Sequence, residues 1–442
     1  MTATSLSSDP LVAAYDELLP VLTVDGLPGF EELRAAAIRR YRESGIPTTR
    51  DEEFKYTPLH ALTETKYRFG YGANLTREDV SGLLLGDVDA ITVVFVNGQF
   101  APDLSSTDSL PNGAYIGSFS EATEFEDDIK AHLGSIAHFD GRLGSTNDLR
   151  FVDLNTAYLG DGTLVFLEKN VAVERTIHIV HVVSASEVAA LSFPRNLIVL
   201  GENAEAKVIE SYVTFAGNGV TIPVTEVRLA ASARLEHNRL QNESLASTHI
   251  ANIFVDQATT SVYTSNNINF GASVSRCDIN AYVGGEHCET WLNSANVAAG
   301  SQIIDNHTRI DHALPYCQSF EVYKSILKDN GVGVFNGKIF VYEDAQKTDA
   351  KQTNQAILLS PTATMNTKPQ LEIFADDVKC THGATIGQLR EDALFYLRAR
   401  GIPLAEAQGL LVYAFAAEVL EKITIDEVRE KLEAALFEKL AS

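Results

Sequence analysis

With 442 residues, 45% of them hydrophobic and 21% charged, the chain can bury a large core and has the composition of an ordinary soluble globular protein with room for two or three domains. Its formal net charge of −24 excludes a nucleic-acid backbone or an anionic membrane surface as principal partner, because both would repel it. No apolar run approaches the roughly 18 residues that a bilayer span requires; Gly409 to Leu420 comes nearest, and Glu418 interrupts it.

The first basic residue is Arg34, so the start of the chain lacks the positive segment of an export signal. Its four cysteines, Cys277, Cys288, Cys317 and Cys380, form no C-x-x-C pair. Such sparse thiols fit a reduced, cytoplasmic protein.

Residues 11 to 45 read as helix, with Leu11, Tyr15, Leu18 and Leu19, then Leu33, Ala37, Ile38 and Tyr41 after a Pro28-Gly29 break. The segment Thr49 to Pro58 follows neither helical nor strand period and is expected to be a structured loop. Thr76 with Asp79 resembles a capping box that opens a short helix through Leu85. Ile91 to Val96 is an apolar strand, and Asn97-Gly98 turns it back into Gln99-Phe100. Helices are expected again around Glu121 to Leu133 and Asn147 to Leu159.

At Gly162 the character changes, and strand-like runs continue almost without helical periodicity to about Val378. Turn-like starts at Gln257, Gly271, Gly285, Gly300, Tyr316 and Gly331 are spaced by 14, 14, 15, 16 and 15 residues. So steady a spacing predicts stacked coils with two strands per turn, a β-solenoid, rather than a large antiparallel sheet. Alternation of Val274, Arg276, Asp278 and Asn280 with Ser273, Ser275, Cys277 and Ile279 predicts one wet face and one packed face.

Such a rod needs capped ends. Ala393, Leu394 and Leu397 form one helical face, and after Gly401-Ile-Pro403 a broader one runs through Leu410, Leu411, Ala414, Phe415, Ala417, Val419, Leu420 and Ile423. Thr424 with Glu427 is expected to box the last helix, which turns Val428, Leu432, Ala435, Leu436 and Leu440 inward. Three helices exceed what a cap needs, and the surplus reads as core or as a docking platform.

The chain has no phosphate-binding G-x-x-x-x-G-K-[ST] loop, dinucleotide G-x-G-x-x-G motif, G-x-S-x-G elbow or H-E-x-x-H helix. His178 and His181, and likewise His307 and His312, would leave opposite faces of a strand and read as structural or surface residues. In His287-Cys288-Glu289, only His287 and Glu289 share a face. Asp344, Asp349, Asp376 and Asp377 could supply the acid and base of a glycan-cleaving β-helix, although nothing in the sequence fixes their separation.

The stretch Val334 to Gly387 packs short apolar runs, Lys338 to Val341, Ala356 to Leu359 and Leu371 to Phe374, between polar turns. If the last continues as a strand, Asp376, Val378, Cys380 and His382 leave one face, with Cys380 and His382 roughly 6.6 to 7 Å apart at Cα. A thiol and an imidazole suit zinc, copper or iron, but they make only half of a closed site. By pattern alone, a lone Cys is more often a small buried hydrophobe.

These residues carry a resemblance. FNGKIFV, AQKTDAKQTN, ILLS, TKPQLEIFADDVKCTHGATIGQL and EDALFYLRARGIP, with Gly45-Ile-Pro-Thr, Asp51-Glu-Glu-Phe-Lys-Tyr-Thr and Val94-Phe-Val-Asn-Gly-Gln-Phe-Ala-Pro upstream, closely resemble the SufD family of iron-sulfur cluster assembly scaffolds. The related SufB proteins typically read His-Glu-Ala-Thr where this chain has His382-Gly383-Ala384-Thr385, and lack the Lys-Cys before it. Phe54 stands where the family commonly has Trp.

The resemblance implies a mostly β fold, a right-handed parallel β-helix over residues 161–385. It is flanked by a mainly helical N-terminal domain with a β-hairpin at 1–160 and a C-terminal helical domain at 386–442 that docks an ATPase. It implies a non-catalytic subunit that pairs with SufB through the β-helices and binds the ATPase SufC through the C-terminal helices, with a homodimer possible in isolation. It also implies that Cys380 and His382 lie at the SufB interface as a metal or nascent-cluster site. Iron or a cluster is then held transiently in the complex, and no cofactor is held tightly by the isolated chain. Cys277, Cys288 and Cys317 are read as packing residues. A polysaccharide-active β-helix enzyme and an accessory subunit of a membrane transporter are the other readings.

Overall fold

The computed structural model describes residues 9–25, 27–65, 67–69, 73–83, 88–138 and 148–441. Its centre is a parallel β-solenoid of two facing sheets. Among the described residues these have 12 and 10 strands. Successive strands alternate between the sheets. Thr248–Gln257, Val274–Val283, Ile303–His312, Val332–Val341 and Thr364–Ile373 stack in the larger one. Val262–Asn269, Glu289–Ala298, Gln318–Leu327, Asp349–Leu358 and Lys379–Gly387 stack in the smaller. Each turn-like start found in the sequence falls at the end of a strand or in the corner that follows it.

One corner explains the regularity. Asn170, Asn203, Ser232, Thr260, His287, Tyr316 and Lys347 all adopt φ between 56° and 64°, one per coil. This left-handed conformation reverses the chain sharply and aims each N–H at the carbonyl of the next coil's corner, as Thr260 N–H does to Glu286 (2.8 Å) and Lys347 N–H to Asp377 (2.7 Å). For residues other than Gly, Asn or Asp that conformation is costly, so the corner ladder is held by the stack around it.

The space between the sheets holds a continuous core that includes Val208, Leu235, Ile253, Ile279, Leu292, Ile310, Leu327 and Phe335. Cys277, Cys288 and Cys317 are buried within it as free thiols, as expected of packing residues. Polar side chains also point inward. Glu210 accepts bonds from Tyr212 Oη (2.7 Å) and Thr225 Oγ1 (2.8 Å) and faces His237 (3.2 Å). Glu243 holds His249 Nδ1 at 2.6 Å. His312 bonds Ser319 Oγ from inside the coil, and His178 is equally buried, so neither is a surface residue.

Helices cover both outer faces. On the larger sheet, Tyr15, Ala37, Tyr41 and Phe54 pack on Leu191, Phe193, Ile222 and Ile250, while Phe119, Ile129 and Val152 pack on Leu197, Val224 and Phe254. The face expected to be wet is thus largely covered: Arg276 is 1% exposed. On the smaller sheet, Val412, Ala416, Val419, Leu432 and Leu436 pack on Ile268, Phe270, Ala295 and Val297.

Helices Pro10–Asp25 and Glu31–Ser44 flank the expected break, where Gly29 adopts φ 82°. The Thr76 capping box and the hairpin turn at Asn97-Gly98 form as read. Other details differ. The helix after Thr76 ends at Ser81, and the expected end at Leu85 lies outside the described residues. Helix begins at Glu126 rather than near Glu121, after two short 3-10 turns, a short helix Ser135–His138 follows, and the second expected helix spans Arg150–Ala157, its expected start at Asn147 lying outside the described residues. The loop around residue 52 contains a 3-10 turn, Glu52–Phe54. Thr424 does not box the last helix, which starts at Asp426; its N–H and hydroxyl instead bond the Glu236 carboxylate on the solenoid.

Candidate functional site

The solenoid ends on two strands with no further coil stacked on them. Among the described residues Thr364–Ile373 pairs only with Val332–Val341, and Lys379–Gly387 only with Asp349–Leu358, which leaves one row of backbone groups on each open for another chain. A corner at residues 374–378 separates these strands, so Leu371 and His382 do not share one strand, and Asp376 and Val378 belong to the turn. Cys380 and His382 do share a face.

That face is the inner one. Cys380 is in register with Ala350, and His382 with Gln352, both buried inside the coil beneath. In an internal coil these two positions would be sealed. Here the stack stops, so Cys380 is half-buried against Ile339, Val341 and Ala375, and His382 is exposed. Burial raises the Cys380 thiol above its ordinary pKa, which favours the neutral thiol until a cation arrives. Among the described residues no three His, Cys, Asp or Glu side chains converge as a metal site. This pair therefore supplies two ligand-type side chains at an open end.

The carboxylates weighed for glycan cleavage do not form an acid-base pair. Asp377 is bridged to Lys347, Asp349 lies 3.5 Å from Lys351, and Asp344 faces solvent at a corner. His287 sits in a corner, stacked on Tyr316 at 5.1 Å, away from any partnership with Glu289.

A second polar cluster escaped the sequence reading. The 3-10 turn at Glu52–Phe54 lies over the outer face of the larger sheet, where Glu53 Oε2 meets His307 Nδ1 at 3.1 Å and Asn336 Nδ2 at 3.1 Å. His307 Nε2 lies 3.0 Å from Asp305, and Arg276 reaches Asp305 at 3.0 Å and Asp278 at 2.8 Å. The Arg276 guanidinium rests 3.9 Å over the Phe54 ring, so an aromatic at this position has a defined task. The bond from His307, with support from Lys338 and Arg276, holds the Glu53 carboxyl at about 2 despite burial. Burial and Arg276 disfavour charge on His307, but Asp305 and Asp278 outweigh them and raise it to about 9. Each charge is matched locally, so the cluster acts as a clamp between the N-terminal segment and the solenoid. The sequence signals were the dense charge around Phe54 and the place of Asp51-Glu-Glu-Phe-Lys-Tyr-Thr among the stretches that carry the resemblance.

The C-terminal helices present a different surface. In Glu391–Ala399 no side chain is fully buried, Phe395 being 74% and Tyr396 55% exposed. In Leu404–Leu420 the buried stripe is Ala407, Val412, Ala416, Val419 and Leu420, a phase shifted from the one expected, so Leu410 faces outward. Leu410, Phe437, Leu440 and Leu359 line a groove of about 720 Å³. No helix among the described residues is long and apolar enough to cross a membrane.

Comparison with known proteins identifies the family. A family described as "SUF system FeS cluster assembly, SufBD core domain" matches residues 181–415, and "SufBD protein N-terminal region" matches residues 7–179. The chain is 32% identical over 397 residues to an iron-sulfur cluster assembly SufBD family protein of Synechocystis, covering 88% of this chain and 86% of the relative. It is 30% identical over 412 residues to the iron-sulfur cluster assembly protein SufD of Escherichia coli, covering 91% of each. It is also 30% identical to the chloroplastic protein ABCI7 of Arabidopsis thaliana, covering 97% of this chain and 92% of the relative. With two family domains meeting end to end across a solenoid of the expected kind, the chain belongs to the SufBD family of the SUF iron-sulfur cluster assembly system, with SufD among its relatives along almost its whole length.

Proposed function

We propose that this chain is a scaffold subunit that turns over no substrate itself, pairs with a SufB chain at the open end of its solenoid, and holds iron or a nascent cluster there between Cys380, His382 and SufB ligands. The observation that carries this reading is the placement of Cys380 and His382 on the inward face of a coil that has nothing stacked on it. Half a ligand set at an unpaired strand edge is completed most directly by a chain that also pairs with that edge. Iron is cargo in this scheme, delivered and released, and the site is cytoplasmic.

The exposed apolar stripe on the C-terminal helices supports docking of one SufC ATPase, in keeping with the lack of a phosphate loop in this chain. ATP binding that draws two SufC subunits together would strain the helical platforms of SufB and this chain and open the interface to iron and sulfide. In isolation the same strand edges would support a homodimer.

The test is co-expression of the tagged chain with SufB and SufC, followed by reconstitution with iron and sulfide. Cys380→Ala and His382→Ala should each leave the three subunits eluting together while most of the cluster is lost. Full cluster yield in both variants would remove the site assignment, and failure to recruit either partner would remove the scaffold reading.

A further inference from the structure

Behind His382 the interior of the last coils is polar in a way packing does not require. Glu321, Gln352 and His382 occupy one inward column on three successive strands, each in register with the next. Glu321 and Gln352 are each 1% exposed. Glu321 Oε2 accepts from Thr308 Oγ1 at 2.8 Å and from Gln352 Nε2 at 3.2 Å. The amide has room because Gly337 stands opposite: a side chain there would collide with Gln352 Nε2. Gln352 Oε1 is buried without a donor, as is the second oxygen of the carboxylate, Glu321 Oε1. An orphaned acceptor of this kind is destabilising, so it calls for a reason.

We infer that Glu321 and Gln352 are positioning residues for His382. The carboxylate takes the NH2 end of the Gln352 amide and so leaves its carbonyl oxygen free, and that oxygen accepts the N–H of His382 once a partner chain covers the open end.

Chemistry fixes the direction of each step. An ionised carboxylate only accepts hydrogen bonds, so it selects the donor end of the amide. The bonds from Thr308 and Gln352 favour that ionised form against burial, which alone pushes Glu321 up, the balance lying at about 7. A neutral imidazole that donates from one nitrogen presents a lone pair at the other, and a fixed tautomer and ring orientation raise its quality as a ligand. The exposed His382 ring has no hydrogen-bond partner among the described residues, so it is free to be set on assembly. Thr308 extends the support across the coil to the opposite sheet.

This inference rests on the assignment of Cys380 and His382 as metal-facing residues, and the experiment separates the two. The assembled complex with SufB and SufC would be titrated with Co²⁺, a spectroscopic probe for iron, and the wild type compared with His382→Ala, Gln352→Leu, Glu321→Gln and the double variant Glu321→Gln with Gln352→Glu. Melting curves would confirm folding. In parallel, ¹⁵N-histidine spectra of the full-length chain bound to SufB would report the His382 tautomer. Gln352→Leu should weaken Co²⁺ binding by about 10-fold or more, the range found when a ligand's supporting hydrogen bond is lost, and should leave His382 as a tautomer mixture. Glu321→Gln combined with Gln352→Glu, which exchanges amide and carboxylate and keeps an acceptor oxygen toward His382, should restore most of the affinity, and Glu321→Gln alone should fall between. Wild-type affinity and an unchanged tautomer in a folded Gln352→Leu complex would overturn the positioning role. Wild-type affinity in His382→Ala would overturn the underlying site assignment instead.

Discussion

His307 Nδ1 lies 3.1 Å from Glu53 Oε2, joining the segment that follows the second helix to the outer face of the solenoid. The two titrations set a pH window for this clamp. His307 is raised from 6.5 to about 9, so its contribution is full below pH 6.5 and disappears as pH rises through about 9. Glu53 is lowered from 4.5 to about 2, so its contribution is full above pH 4.5 and disappears as pH falls through about 2. The pair is strongest between these limits. His307→Gln should therefore destabilise the chain most near pH 5 to 6, by about 1–3 kcal/mol for a partly buried charged bond, with the gap narrowing toward pH 9. Denaturant titrations of both proteins across this range would show it, and a pH-independent gap would count against the clamp.

Glu226 should matter more. Its carboxylate is fully buried, bonds Arg195 at 2.5 and 3.1 Å, and accepts the N–H groups of Gly134 (2.9 and 3.0 Å) and Ala137 (2.8 Å). Glu226→Ala leaves the buried Arg195 charge with only Asn155 and Thr156 as partners. The expected loss is about 3–5 kcal/mol, the usual result of removing one member of a buried ion pair. Denaturant unfolding measures this directly, and a loss under about 1 kcal/mol would mean that water replaces the carboxylate.

The coil spacing was readable because corners repeat. A left-handed residue every 27 to 33 positions and a strand between corners leave a period that survives large changes in side chains. What failed was the assumption that polar means outward. Arg276 and Asp278 face out but are covered by Phe54 and Glu53, while Glu210, His237, Arg239 and Glu243 face into the coil, Glu210 against His237, Glu243 against His249, and Arg239 against Asn267 and Asn269. Alternation reveals which residues share a face; it does not reveal what later covers that face. The Cys380 and His382 pair was legible as a shared face, but its position on the last strand came from the stack. Gln352 lies in the AQKTDAKQTN stretch that carries the resemblance, but its place in the interior had no signal, since an inward glutamine is identified only by its neighbours.

Thr260 tests the corner ladder. It is β-branched, exposed and held at φ 58°, a conformation that disfavours branched side chains. Asn tolerates this conformation through its short polar side chain and keeps the N–H that donates to Glu286. Thr260→Asn is expected to stabilise the chain by about 0.5–1 kcal/mol, offset in part by the lost hydroxyl contact to Ser232. A higher melting midpoint with unchanged cooperativity would confirm that the corner is strained, whereas a lower one would show that the hydroxyl ladder outweighs the backbone.

Phe395 and Leu420 separate docking from folding on the C-terminal helices. Phe395 is 74% exposed and Leu420 is fully buried against the solenoid, although both are large apolar side chains on C-terminal helices. Phe395→Ser removes no packed contact of comparable size, so stability should stay within about 0.5 kcal/mol. If this surface receives SufC, the same change removes an exposed aromatic of the kind that dominates interfaces, and affinity should fall by about 10-fold or more. Leu420→Ala should do the reverse, costing about 2–5 kcal/mol of stability through the cavity it leaves and affecting SufC binding only when the helices melt. Melting curves and SufC titrations on the same two variants decide the matter. Phe395→Ser with lost stability would make the first C-terminal helix part of the core, and full SufC affinity in that variant would move the docking surface elsewhere, to the groove between Leu410 and Phe437 as the next surface to mutate.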